Sequence, residues 1–370
     1  VDSESYLRAA EELSLLAAEE ATEAERSGRL SDRFVTGLAE HGLAAMALPS
    51  EMGGPGMDPA ILLRVLETLG RGDGSAGWVA MVMAVGSIAG CYMGPDGATE
   101  VFAGGASSLT AGVFAPRGTA RAVPGGYRVD GRWPFASGCL HAEWLSVGVR
   151  VEGEDSIRFC YLPVGETEIL PTWDVGGLRA TGSHDLVVTD GFVPSRLTYS
   201  LDGQVNTRDP VARLPLYGLL AAGIAAVTLG IARASIDALV ELASAKTPTG
   251  SRRLLAERPS VQERVGRAEA GWEAARGFLL GVASGLAAAE PTLRDRARLR
   301  LAANHAVASA VDVVDAMYAA AGGTSVYNSS PLQRYFRDIH TATQHMMVAQ
   351  PIWELAGRVL MRLPADTSQL

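Results

Sequence analysis

The chain has no uninterrupted block of basic residues, and its cysteines form no metal or disulfide pattern. Arg and Lys total 32 against 41 Asp and Glu, for a formal net charge of −9. Nucleic acid and anionic membranes need a positive surface that displaces counterions, so neither is expected as a partner and a small-molecule substrate is the default. Cys91, Cys139 and Cys160 lie far apart with no CxxC spacing, which argues against a zinc site and a disulfide framework and fits a reducing cytoplasm. Aromatic residues make up only 6% of the 370 while Ala and Gly are abundant, a balance that favours tightly packed helices over a β-rich architecture. No GxxxxGK(S/T) loop occurs, and no GxGxxG stands between a strand and a helix, so neither a P-loop nor a Rossmann enzyme is expected.

Charge is also missing from Gly74 to Pro95 and from Leu214 to Ala232, each long enough to cross a bilayer. Both are rich in Gly, Ala and Ser, lack basic and aromatic flanks, and follow no signal peptide, so they are expected as helices buried in a bundle.

What is present falls into three regions. Glu11 to Glu23, Ser31 to His41 and Pro59 to Gly70 have apolar residues at helical spacing, with a Gly- and Pro-rich loop at Pro49 to Gly56, so residues 1–108 are expected as a helical domain. Short β-branched or aromatic runs follow at Tyr127–Val129, Trp144–Val149, Arg158–Leu162 and Asp185–Val188, which marks 109–205 as a β-domain. Helical periodicity returns over 206–370 in the long segments Gln262–Leu286, Leu293–Ala321 and Arg337–Leu363.

Five motifs in order carry a resemblance. They are Leu48-Pro49 with Gly53-Gly54; Asp73-Gly74-Ser75-Ala76-Gly77-Trp78; Gly131 to Gly138; Gly177 to Ser183 through Val193-Pro194; and Gly322-Gly323 with Pro331-Leu332-Gln333-Arg334 and Arg337-Asp338. Together they resemble the acyl-CoA dehydrogenase superfamily over nearly the whole chain. The resemblance implies a mainly α fold with a central β-domain: a helical N-domain, a β-barrel or sandwich in the middle, and a C-terminal four-helix bundle, assembled as a homotetramer.

The departures from that family are as informative. Its dehydrogenases commonly carry a catalytic Glu eight residues after the Arg-Asp pair, and here that place holds Met346, whose thioether cannot take a proton. No Glu occurs between Leu201 and Val240, the other place where the family puts a base. The family's Arg followed by Phe-Gly, which helps hold the dinucleotide half of FAD, is replaced by Lys246 to Arg253 without Phe-Gly. Where dehydrogenases have Thr-Glu-Pro and Gly-Ser-Asp stands Ala111 to Ala120.

Gly125-Gly126-Tyr127-Arg128-Val129, Gly131-Arg132-Trp133, Ser137-Gly138-Cys139, His141-Ala142-Glu143-Trp144 and Gln344-His345 instead resemble the branch of two-component flavin-dependent monooxygenases similar to the 4-hydroxyphenylacetate hydroxylase oxygenase component. That likeness implies reduced FMN or FADH2 delivered by a separate flavin reductase, O2 as co-substrate, and hydroxylation of an aromatic or related small molecule at a site that excludes water. It implies Ser137 at the flavin N5 and Phe135 as a pocket wall, with Trp133 read as core. His345 is implied as the residue that positions or delivers a proton, its pKa lying near working pH. Gly322 and Gly323 are implied on the cofactor side, His141 and His184 are weaker candidates, and Arg337-Asp338 is expected as a buried ion pair. Three other readings stay open on sequence: an acyl-CoA dehydrogenase with an unrecognised base, an amino-sugar N-oxygenase, and a non-catalytic subunit.

Overall fold

A computed structural model describes residues 3–202, 205, 207, 209–287 and 290–370; the expected border at 205 and 206 touches Asn206, which lies outside the described residues. Helices come first: α1 (Ser3–Ser27), α2 (Asp32–Glu40), α3 (Pro59–Gly72), α4 (Gly74–Gly86) and α5 (Pro95–Val101). Local chemistry sets their starts. The Ser31 hydroxyl accepts from Phe34 N and the Asp58 carboxylate from Ala60 N, with Pro59 pre-set for the first turn of α3. Asp73 is extended (φ −155°, ψ 135°), which ends α3, and its carboxylate accepts from Ala76 N to begin α4.

Strands follow: β1 (Thr110–Val123), β2 (Gly126–Ala136), β3 (Trp144–Val151), β4 (Ile157–Pro163), β5 (Glu168–Leu170), β6 (His184–Pro194) and β7 (Thr198–Tyr199). The barrel or sandwich expected here takes the form of one seven-stranded sheet in the order β5-β6-β2-β1-β3-β4-β7, antiparallel except for the β1 and β3 pair. Trp133 is fully buried, as expected for core, and its Nε1 donates to Gly148 O at 2.7 Å. Two glycines make room for its indole: a Cβ on Gly118 would fall 2.1 Å from Trp133 Cζ2, and one on Gly131 2.7 Å from Cη2. Register shifts in β1 at Val113, Pro116 and Gly118 bend the strand around this ring.

The chain ends in α6 (Leu216–Ala245), α7 (Pro259–Ala287), α8 (Leu293–Ala321), α9 (Pro331–Ala342) and α10 (Pro351–Leu360). α6 packs on α7, α8 and α9 and also on α3 and α4, so the bundle and the first helices share one apolar core. Both uncharged runs lie inside the protein: α4 with the turn after it, and the Leu216–Ala232 part of α6, are apolar and almost wholly buried, whereas the later turns of α6 carry Arg233, Asp237 and Glu241 and reach the surface. One expected segment is corrected. Arg337–Leu363 is not continuous helix; α9 stops at Ala342, His345 is extended (φ −71°, ψ 130°), and α10 restarts at Pro351, whose missing N–H fits a first turn but not a helix interior.

The packing around Trp133 yields a prediction. Gly118→Ala drives a methyl into a ring that cannot move, so it should lower stability by about 2 kcal/mol. Chemical denaturation measures it, and an unchanged unfolding midpoint would refute the account.

Candidate active site

The turn after β2 carries the first anomaly. Phe135 has φ 70°, a conformation that costs an aromatic residue on the order of 1–3 kcal/mol and is kept where the surroundings enforce it. The pairing of β2 with β6 slips between Trp133 and Ala136, which turns the Phe135 ring outward to 65% exposure, edge-on to Trp173 at 6.1 Å. The chain then folds under itself. Ser137 N donates to Phe135 O, and Gly138 (φ 76°) packs against Val79 of α4 while its N–H donates to Thr181 O at 2.9 Å.

Ser137 is thereby buried in a file of polar groups. Trp78 Nε1, from the second turn of α4, donates to Ser137 Oγ at 3.1 Å. Ser137 Oγ lies 2.7 Å from Ser183 Oγ, which lies 2.7 Å from Thr181 Oγ1, and Thr181 Oγ1 donates to Leu178 O at 2.8 Å. Leu178 has φ 51°, and its N–H donates to the buried Asp338 of α9 at 2.6 Å.

His345 packs against the same indole, 5.8 Å from Trp78 ring to ring and edge-on. Its Nδ1 accepts from Met347 N at 3.2 Å, so the ring proton sits on Nε2, which has no protein partner among the described residues. Burial, with the Arg300 guanidinium as a second cause, pushes its pKa down to about 4. This corrects the expectation of a group titrating near working pH: His345 is a neutral imidazole that presents an N–H, not a reservoir that delivers a proton. Arg300 is fully buried and fixes the segment by donating from Nη2 to Met347 O at 2.8 Å and from Nη1 to Gln369 O.

Other expected residues fall as follows. His184 lies at the rim, where its Nδ1 accepts from Trp173 N at 3.1 Å and burial lowers its pKa. His141, pushed to about 4 mainly by burial, has a buried Nε2 without a partner and makes no contact with the Ser137 file among the described residues. Arg337 and Asp338 are not paired with each other: Arg337 bridges to Glu25 at 2.5 Å, while Asp338 holds Leu178. Met346, in the place of the family's Glu, is 56% exposed.

Gly322 and Gly323 end α8, with open space where a Cβ would stand, and no hydrogen bond or ring contact joins them to Ser137 among the described residues. Lys246 spends two donors there, on Ala321 O at 2.7 Å and Thr324 Oγ1 at 2.6 Å. Sequence reasoning passed over Trp78, Trp173, Thr181 and Ser183 as site residues. Their signal was two hydroxyls two residues apart in a Gly-rich turn, which reads as loop until the fold sets it against Ser137.

The arrangement offers an aromatic ledge, a buried hydroxyl and one neutral N–H donor, with no carboxylate among the described residues that touch them. Such a set is able to orient a flat cofactor and an oxygen atom, and it lacks the carboxylate base by which the family's dehydrogenases take a proton from carbon. Two family profiles match, "Acyl-CoA dehydrogenase, N-terminal domain" over residues 8–95 and "Acyl-CoA dehydrogenase, C-terminal domain" over residues 222–350. The chain is 32% identical to the indole-3-acetate monooxygenase of Pseudomonas putida, over 90% of this chain and 88% of that protein.

The chain belongs to the flavin-dependent monooxygenases of the acyl-CoA dehydrogenase superfamily. Among solved structures, the HsaA monooxygenase of M. tuberculosis superposes with a TM-score of 0.91 at 30% identity, covering 100% of both chains. XiaF from Streptomyces sp., determined with FADH2 and glycerol, superposes with a TM-score of 0.90 at 27% identity, over 98% of this chain and 96% of that one. The chain is thus a flavin-dependent oxidoreductase.

The state of His345 can be checked directly. Its folded pKa, about 4, lies below the ordinary 6.5, so the unfolded chain holds the proton more tightly. Its contribution to stability is therefore full above about pH 6.5 and is lost as the pH falls toward the folded value. Nitrogen-15 NMR should find His345 neutral and protonated on Nε2 between about pH 5.5 and 8. A midpoint near 6.5 would contradict this.

Proposed function

We propose that this protein is the oxygenase component of a two-component system: it takes reduced FMN or FADH2 from a separate reductase and hydroxylates an electron-rich aromatic small molecule. The observation that carries the reading is that one indole, Trp78, holds Ser137 on its ring nitrogen and a neutral His345 against its ring, with Met346 where a dehydrogenase would need a base. A reduced flavin supplies the two electrons that activate O2; one oxygen atom enters the substrate and the other leaves as water.

The residues present suit that chemistry. Phe135 and Trp173 form an exposed aromatic corner against which a flat ring packs, and Ser137 meets its N5 edge. His345 donates its Nε2–H to the oxygen being transferred or to a phenol or indole partner, and as a neutral group it brings no acidic proton to the site. Gly322 and Gly323 leave room for the phosphate-bearing tail. The N-terminal, β and C-terminal domains comprise residues 1–108, 109–205 and 206–370, and the assembly is a homotetramer. Three free, buried thiols support a reducing, cytoplasmic setting.

Anaerobic protein charged with reduced FMN or FADH2 and then mixed with ¹⁸O2 and a panel of indoles and phenols should give a product carrying one ¹⁸O. His345→Ala should lower its yield about 100-fold, the usual loss when an oriented donor to a developing oxyanion is removed, with hydrogen peroxide released instead. Reduction of bound flavin by an acyl-CoA without a reductase would sink the proposal.

A further inference from the structure

The file from Trp78 to Leu178 has a direction. Hydrogen counting fixes it, because a hydroxyl has one proton to give and two lone pairs to receive with. Leu178 O accepts from Thr181 Oγ1 at 2.8 Å, from Trp173 Nε1 at 3.1 Å and from Thr181 N at 3.2 Å. If Thr181 gives its proton to that carbonyl, it must receive from Ser183, and Ser183 must receive from Ser137. At the far end the indole N–H of Trp78 can only donate, so Ser137 receives there. The opposite direction makes one hydrogen bond fewer: Thr181 turns to Ser183, Ser183 turns to Ser137, and two bare oxygens, Thr181 Oγ1 and Leu178 O, face each other at 2.8 Å. Asp338 and the packed turn hold Leu178 in place, so that contact cannot relax by moving apart.

We propose that Thr181 and Ser183 are positioning residues that commit the Ser137 proton inward, leaving Ser137 only a lone pair to offer a ligand, and that this selects reduced over oxidised flavin. The inference rests on the reading that Ser137 meets the flavin N5. Reduced flavin carries an N–H at that position and oxidised flavin a bare nitrogen. The inward direction therefore completes a hydrogen bond to the reduced ring and sets lone pair against lone pair with the oxidised one. Binding the oxidised ring well requires turning the Ser137 proton outward, which costs the file one hydrogen bond whether the reversal stops at Ser137, at Ser183 or at Thr181. The site thereby favours the incoming form and releases the spent one without any charged group. Trp78 reinforces the bias by occupying the other lone pair of Ser137.

The test is the ratio of dissociation constants for oxidised and dithionite-reduced FMN, and likewise FAD, measured anaerobically by flavin absorbance and fluorescence. Thr181→Val removes the hydroxyl that anchors the file, and Ser183→Ala frees the Ser137 proton to point outward. Each should reduce the wild-type preference about five-fold or more, the worth of one hydrogen bond, chiefly by tightening the oxidised form. Thr181→Ser keeps the hydroxyl and should keep the wild-type ratio, which separates polarity from packing. In a Ser137→Ala background, Thr181→Val should change nothing further. Thr181→Val and Ser183→Ala proteins that bind both flavins with the wild-type ratio would overturn this inference alone. A wild-type protein that binds neither flavin would overturn the functional reading and this inference with it.

Discussion

The peptide at Leu178 is gripped from both sides, and the site depends on that grip. Its N–H is held by Asp338 from α9 and its C=O receives three donors, two from Thr181 and one from Trp173. A left-handed Leu costs on the order of 1–3 kcal/mol, and these bonds, with the burial of its side chain over Gly74 at the start of α4, offset the strain. The first helices, the sheet and the last bundle therefore meet at one residue. Moving any of the three shifts the anchor of the hydroxyl file, and with it the orientation of Ser137.

The second half of the site is held in an equally indirect way. His345 lies in a break between two helices, where neither helix geometry nor strand pairing fixes a ring. Its orientation comes from Met347 N on one side and the Trp78 edge on the other, and Arg300 pins the Met347 carbonyl from inside the bundle. The shared element is α4: its second-turn Trp78 carries Ser137 on its indole nitrogen and His345 against its ring. Asp73, as the cap that starts α4, sets where that indole stands.

Much of this architecture was readable in the chain, and the unread parts share a cause. Leu293–Ala321 reads as α8 because its apolar spacing is local and uninterrupted, and the turn at Ser137-Gly138 reads as special because a Gly with positive φ is local too. β1 was missed because Gly112, Pro116 and Gly118 break its alternation, and the reasons for the glycines are neighbours in space and not in sequence: Ser146 of β3 lies where a side chain on Gly112 would stand, and Trp133 of β2 lies where one on Gly118 would. The break inside Arg337–Leu363 was written at Pro351 and was overridden by the apolar pattern around it. The hydroxyl file could not be read at all, since Ser137 meets Ser183 across 46 residues and Trp78 across 59. The protonation state of His345 was misjudged for the same reason: desolvation belongs to the folded environment and leaves no mark on the residue's own neighbours in sequence.

That environment keeps protons in unusual places, and the displacements oppose one another. Burial and Asp73 push Asp338 up to about 7, and burial raises Asp73 as well, while burial holds His345 and His141 near 4. A raised carboxyl contributes stability that is lost as pH climbs through its folded value; a lowered imidazole contributes stability that is lost as pH falls below its ordinary one. The two slopes therefore oppose each other: acid weakens the fold through His345, and rising pH weakens it through Asp338. Both shifts have the same first cause, burial, which disfavours charge on Asp338 below Leu178 and on His345 beside Trp78, so the packing that holds these two groups also biases both toward their neutral forms.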